Sequence, residues 1–327
     1  MGADQSLMNT QKPKIVSLAP MMDWTDRHFR YFARLIAPTI RLYTEMISCQ
    51  ALIFGDRQRL LAFDPSEHPI ALQVGGSCPQ QLAFCAQLAE QFGYDEINLN
   101  VGCPSDRVQE ARIGACLMAT PDCVAAGINA MKNATSIPVT VKTRIGVDDH
   151  DSYEHLTHFI RTVHQAGCQE FIIHARKAWL SGLSPKENRD IPPLNYPRVY
   201  QIKKDFPHLS ISINGGINTL IDAKAHLKHV DGVMIGREAY QNPYFLAALE
   251  SILSPDYQAP SREEIIERYK PYMLNEIKKD VRLHDMTRHL LGLFNHLPGA
   301  RAWRRKLSTE VHQSAVKNEP SDFIRLL

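Results

Sequence analysis

Glu96-Ile97-Asn98-Leu99-Asn100-Val101-Gly102-Cys103-Pro104-Ser105-Asp106-Arg107-Val108-Gln109 is the stretch on which the reading of this chain turns. Glu96 to Val101 reads as a short apolar strand, and Pro104 holds Cys103 in an extended backbone conformation and denies it a helical one. A thiol therefore stands just past the carboxyl end of a strand. In parallel α/β proteins those ends are where chemistry happens. Free cysteines are also among the most buried residue types, so position alone leaves a core thiol and a functional one about equally open.

Outward from this strand the same unit repeats. Strands are expected at Ile15–Ala19, Ile40–Thr44, Ile70–Val74, Glu96–Val101, Val139–Lys142, Phe171–His174, Ser210–Asn214 and Gly232–Ile235. Helical stretches fall between them, as at Gln80–Phe92, Cys123–Asn133, Tyr153–Ala166 and Leu220–His229. Several strands are apolar throughout, as expected where both faces of a parallel sheet are buried. Eight such units in about 240 residues match a TIM (β/α)8 barrel. A doubly wound open sheet is the alternative, but no GxGxxG turn follows the first strand.

The pattern changes after Leu253. Pro255 and Pro260 bracket a polar connector, and Ser261 is placed to cap a helix. Helices are expected at Glu263–Lys279, His284–His296 and Ala300–His312, with Pro298-Gly299 as a break. The predicted organisation is a barrel over residues 1–253 and a small C-terminal helical bundle over 254–327. Between Asp285 and Glu310 there is no acidic residue, while Arg288, Arg301, Arg304, Arg305 and Lys306 all fall there beside Trp303. Such a face suits phosphate contacts, although charge runs are most often simply solvated.

With 327 residues, 44% hydrophobic and 22% charged, the composition is that of an ordinary soluble globular protein. The sequence shows no run long enough to span a bilayer and no export signal, and its seven cysteines form no CxxC pair. A cytoplasmic protein with reduced thiols and no metal is expected.

Nearly every expected strand ends in a polar or glycine-rich tag. The first gives Ala19-Pro20-Met21-Met22-Asp23, the third Gln73-Val74-Gly75-Gly76, and the fifth Lys142-Thr143-Arg144. The sixth gives His174-Ala175-Arg176-Lys177, the seventh Asn214-Gly215-Gly216, and the eighth Gly236-Arg237. One tag alone is ordinary loop chemistry, but a barrel brings all of them to one mouth. Phosphate sites in such barrels are built from the loops after the last two strands, which here carry Gly215, Gly216, Gly236 and Arg237. A flavin mononucleotide fits, with Gln73, Lys142 and His174 as donors to its ring.

These pieces, with Asn98-x-Asn100-x-Gly102-Cys103-Pro104-Ser105 at their centre, resemble the tRNA dihydrouridine synthases over essentially the whole length. Cys103 to Gln109 and the stretch Lys177 to Leu194 are similar to the A-type subfamily. The resemblance implies reduction of the uracil C5=C6 bond in the tRNA D-loop, at positions 20 and 20a. It implies hydride from N5 of reduced FMN to C6, a proton from Cys103 to C5, and NADPH as reductant. Such a role needs a neutral thiol, near or above the reference pKa of about 8.5. It places Pro20, Met21, Met22, Gln73, Lys142, His174, Asn214, Gly215, Gly216, Gly236 and Arg237 around the cofactor. Asn100, Arg144 and Arg176 are then expected near the nucleotide, and Lys186, Arg189, Arg301 and Arg304 against the tRNA. A monomer is expected. The competing readings are an FMN-dependent oxidoreductase of free pyrimidines, similar to dihydroorotate dehydrogenase, and a non-catalytic tRNA-binding protein.

Overall fold

In the computed structural model, which describes residues 13–317 and 320–327, a strand forms in each of the expected places. They are β1 (Ile15–Leu18), β2 (Leu42–Tyr43), β3 (Ile47–Ser48), β4 (Ile70–Gly75), β5 (Glu96–Val101), β6 (Val139–Arg144), β7 (Glu170–His174), β8 (Ser210–Asn214) and β9 (Gly232–Ile235). All pair in parallel, in the order β1-β9-β8-β7-β6-β5-β4-β2, and β3 also pairs with β4. The ring closes between β1 and β2, where Leu18 N donates to Arg41 O at 2.9 Å and Arg41 N to Val16 O at 3.0 Å. The result is the (β/α)8 barrel, with β2 and β3 as two pieces of one stave, and closure leaves the sheet no free edge.

The second stave is split for a local reason. The Thr44 hydroxyl accepts from the backbone N–H of Gln73 at 3.0 Å and donates to Glu45 O at 2.8 Å. A side chain there takes over bonding that a ladder would otherwise supply. Pairing resumes at Ile47 opposite Val74.

The outer helices turn one apolar stripe inward. Leu82, Cys85, Ala86 and Ala89 of Pro79–Gln91 are buried, as are Leu156, Phe159, Ile160 and Val163 of Tyr153–Gln165. The helix Tyr196–Asp205 was not among those expected, although its start carries both signals: the Asn195 side chain accepts from Arg198 N, and Pro197 lies in the first turn.

Beyond β9 the described chain is helical: Arg237–Gln241, Phe245–Leu253, Arg262–Ile277, Leu283–Thr287, Ala300–Lys317 and Pro320–Leu326. Ser261 caps its helix reciprocally with Glu264. The single helix expected over His284–His296 does not form. It is replaced by the short helix, a 3-10 turn at Arg288–Leu290 and further turns. Gly292 there lies so close to the barrel that a Cβ would sit 2.2 Å from Gln241 O.

Asp26 fastens this helical part to the barrel. Its carboxylate caps the helix Arg27–Ile36 by accepting from the N–H groups of His28 and Phe29, each at 2.9 Å. The same carboxylate accepts from Arg288 Nη2 at 2.5 Å and faces His289 Nε2 at 3.1 Å. Burial pushes its pKa upward, but the His289 and Arg288 contacts and the Phe29 amide outweigh that and hold it well below the usual carboxylate range. Tyr31 stacks on Tyr272 at 4.0 Å beside it. Among the described residues no helix is long and apolar enough to cross a membrane.

Candidate active site

The carboxyl ends of the strands open into a cavity of about 500 Å³. Gln73, Asn100, Cys103, Lys142, Arg144, His174, Asn214, Gly215, Gly216, Gly236 and Arg237 all line it, as do Pro20, Met21 and Met22 from the first tag. The register explains the convergence. Gln73 pairs with Asn98, Asn100 with Lys142, Arg144 with His174, and His174 with Asn214, so neighbouring strands deliver their tags at one level.

Cys103 sits on a backbone whose polar groups are all engaged. The N–H groups of Gly102 and Cys103 donate to Asn100 Oδ1 at 3.0 and 2.9 Å. Gly102 O accepts from Arg144 Nε at 2.8 Å, Cys103 O from Ala115 N at 2.8 Å, and Pro104 O from Gln109 Nε2 at 2.8 Å. Gln109 also donates to Leu180 O at 2.7 Å, tying this loop to the one after β7. Among the described residues the hydrogen-bond contact of the thiol is the Ser105 hydroxyl, at 3.5 Å. The chain thus holds the sulfur's position through the backbone and leaves the side chain for a ligand.

Cations come from the neighbouring strands. Lys142 Nζ donates to Asn214 Oδ1 at 3.1 Å, and Asn214 Nδ2 donates to Met234 O at 2.8 Å. Burial, with Arg144 nearby, pushes the Lys142 ammonium down to about 7. Burial together with Arg144, Lys142 and Arg176 holds His174 far below its ordinary value, so its imidazole is neutral. Its Nδ1 is buried without a hydrogen-bond partner. A buried nitrogen left unpaired costs free energy unless a ligand satisfies it. Gly215 and Gly216 have φ of +110° and +69°, and a Cβ on Gly216 would lie 2.6 Å from Leu194 Cδ1. Only glycine fits there, and it leaves the backbone open to close approach.

The remaining sequence candidates divide. Arg189 lines the cavity and is solvent-exposed. Arg237 is paired with Asp190 Oδ1 at 2.7 Å. Arg144 lines the cavity, but its Nε and Nη1 hold the carbonyls of Gly102, Lys177 and Asn188. Arg176 does not line it; its Nη1 is turned to the carbonyls of Asp190 and Pro192. Lys186 is exposed outside the cavity. Arg301 and Arg304 are exposed on Ala300–Lys317, and Arg304 donates to Asn295 Oδ1 at 2.7 Å. Asn295 in turn donates to Gln241 O, the end of the short helix that Arg237 begins.

Ser105, the last residue of the Asn98-to-Ser105 motif, also lines the cavity, as do Met46, Trp24, Pro185, Asn218 and Met234, which belong to none of the candidate site residues. Trp24, stacked on Tyr240 at 4.4 Å, lies four residues past Pro20 and could have been found from that tag. Met46 and Met234 carry no signal beyond apolarity. Among the described residues no cluster of His, Cys, Asp and Glu is placed to hold a metal ion.

The arrangement suits a flat, carbonyl-bearing ligand with an anionic arm, and a second group presented to the thiol. Comparison with known proteins gives the family. The family described as Dihydrouridine synthase (Dus) matches residues 17–326. A tRNA-dihydrouridine(20/20a) synthase of Shewanella oneidensis is 61% identical over 301 residues, covering 92% of this chain and 90% of that protein. Proteins of the same name from Vibrio cholerae and a Synechocystis strain are each 60% identical, covering 91% and 90% of this chain and 91% and 88% of theirs. By the extent of these matches and by its barrel, this chain belongs to the dihydrouridine synthase family.

Proposed function

We propose that this chain reduces uridine in tRNA to 5,6-dihydrouridine, at D-loop positions 20 and 20a, with FMN in the barrel mouth and NADPH as reductant. The observation that carries this reading is the Cys103 loop, whose backbone is fastened at Gly102, Cys103 and Pro104 while its thiol faces the cavity.

The residues present fit the cofactor. The unpaired Nδ1 of His174, the Lys142 ammonium and the amide of Gln73 would meet the carbonyl and nitrogen groups of its ring. Gly215, Gly216, Gly236 and Arg237 would take its phosphate. When bound and reduced, FMN supplies the hydride that uracil C6 requires. Cys103 Sγ holds the proton destined for C5. Asn100 sets where that sulfur stands, and Arg144 and Gln109 brace the loop on either side. A stacked base cannot reach a barrel mouth, so the target uridine is turned out of the tRNA into the cavity. Residues 1–253 would do the chemistry, and 254–327, with Arg301 and Arg304 exposed, would hold the tRNA backbone. Lys186 and Arg189 would add contacts from the barrel side. The working unit is a monomer in the cytoplasm.

The test is nucleoside mass analysis of dihydrouridine-free tRNA after incubation with protein, FMN and NADPH. A uridine heavier by two hydrogens in the D-loop is expected. A flavin-bound protein that yields none would overturn the reading and make a free pyrimidine the next substrate to try.

A further inference from the structure

A single polar chain runs up the barrel interior from β5's amino end to the thiol loop. Glu96, Asn98 and Asn100 are alternate residues of β5 and so share its inward face. The Thr140 hydroxyl donates to Glu96 Oε1 at 2.5 Å, and Asn98 Nδ2 donates to Thr140 Oγ1 at 2.7 Å. Gln73 Nε2 donates to Asn98 Oδ1 at 2.8 Å, and Asn100 Nδ2 donates to Gln73 Oε1 at 2.9 Å. Asn100 Oδ1 then takes the N–H groups of Gly102 and Cys103. None of Glu96, Thr140, Asn98, Gln73 and Asn100 is more than 8% exposed.

The two ends of this chain are chemically opposite. A carboxylate only accepts, and backbone N–H groups only donate. Glu96 is kept in the accepting role by Arg41 Nη1 at 2.7 Å and the Tyr43 hydroxyl at 2.8 Å. Thr140 must therefore donate downward and accept from above, which turns Asn98 Oδ1 toward Gln73. Gln73 must then donate to Asn98 and accept from Asn100. Every amide has one orientation, and the orientation demanded from below agrees with the one demanded from above. The second N–H of Gln73 Nε2 is left over, and Gln73 and Asn100 both line the cavity.

We infer that Glu96 and Thr140 are positioning residues, setting which way the cavity amides of Gln73 and Asn100 point through the relay Glu96–Thr140–Asn98–Gln73–Asn100. Glu96 does this from about 13 Å below Asn100 along the strand. The relay makes the floor of the cavity a donor to a ligand's carbonyl groups and fixes Asn100 beneath the Cys103 loop. The ligand side of this inference rests on the FMN reading above; the orientation of the amides does not.

The test replaces Thr140 by Val, which removes the hydroxyl at nearly constant shape, and by Ser, which keeps it. In the full chain without ligand, the side-chain amide resonances of Gln73 and Asn100 are recorded by NMR. FMN affinity is measured by fluorescence quenching. Wild type and Thr140→Ser are expected to show one set of slowly exchanging amide signals for each residue. Thr140→Val is expected to shift or double them and to weaken FMN binding by roughly threefold to tenfold, the scale of one buried hydrogen bond. A folded Thr140→Val protein with unmoved signals and unchanged FMN affinity would overturn the inference. Should Thr140→Val not fold, the wild type still decides: rapid exchange of the Asn98 and Gln73 side-chain protons is incompatible with a closed relay. A wild type that binds no FMN at all would defeat the cofactor reading, while its amide signals would still judge the relay.

Discussion

Arg237 Nη1 donates to Asp190 Oδ1 at 2.7 Å, an ion pair joining the end of the last strand to the loop after β7. Arg237 is thus held at the cavity wall by a partner that lies outside the cavity lining. If its guanidinium meets the FMN phosphate, Arg237→Ala should weaken FMN binding by about tenfold to a hundredfold, the value of a charge-assisted hydrogen bond. Riboflavin, which lacks the phosphate, should bind both proteins alike. Equal losses for the two ligands, measured by fluorescence titration, would place Arg237 elsewhere.

Cys103→Ala should cost turnover a factor of about 10² to 10⁴, the usual contribution of a positioned acid, and leave FMN binding unchanged. Rapid-mix assays with tRNA separate the two effects. Full activity without the thiol would remove Cys103 from the chemistry.

Lys142 is depressed by burial and by Arg144 to about 7, from an ordinary value of 10.5. The unfolded chain takes up this proton below about 10.5, while the folded one resists until about 7. The resulting penalty on folding is absent at higher pH, grows as pH falls between those values, and is constant below. Lys142→Met should therefore be more stable than the wild type, by about 4 kcal/mol at neutral pH, with the gap closing toward pH 10. Denaturant melts from pH 6 to 10 would show it. A gap that widens with rising pH would contradict the assignment.

Arg301→Glu together with Arg304→Glu should weaken tRNA binding and lower the slope of log affinity against log salt by about 1.5 to 2, as for two lost phosphate contacts. Filter binding over a salt series measures this directly. An unchanged slope would mean that the two arginines are only a solvated face.

Asp26, held low by His289, Arg288 and the Phe29 amide, stabilises the fold above the unfolded carboxylate value near 3.8 and loses that contribution as pH falls through its folded value. Asp26→Asn keeps the helix cap but loses the charge. It should cost about 2 kcal/mol at pH 7, and the difference should shrink below pH 4. A constant difference across that range would point to packing in place of charge.

The barrel was legible because its strands are short, apolar and regularly spaced, and because burial on both faces leaves little else such segments can do. The tags at Gln73, Lys142, His174 and Asn214 were legible for the same reason: strand ends are easily located. What was hidden depends on three-dimensional register. Nothing local reports that Thr140 stands between Asn98 and Glu96, or that Arg176 turns to the carbonyls of Asp190 and Pro192. Nor does the sequence report that Asn100, expected near the nucleotide, lines the cavity with its carbonyl oxygen engaged by the amides of its own loop. The broken segment after His284 was unreadable because its shape answers to Gln241, more than forty residues earlier.

Asp26 carries a consequence for how this molecule can be taken apart. One carboxylate begins a helix of the barrel and receives two side chains from the tail, so the cap and the tie to the tail share a single group. A barrel cut free of residues beyond Leu253 would bare Phe29, Tyr31 and Phe32 to water and leave the Asp26 charge without Arg288 and His289. The tail is therefore not an interchangeable accessory. Grafting it to another barrel would require carrying this helix along, and shortened versions of the chain should be lost to aggregation before they are lost to inactivity.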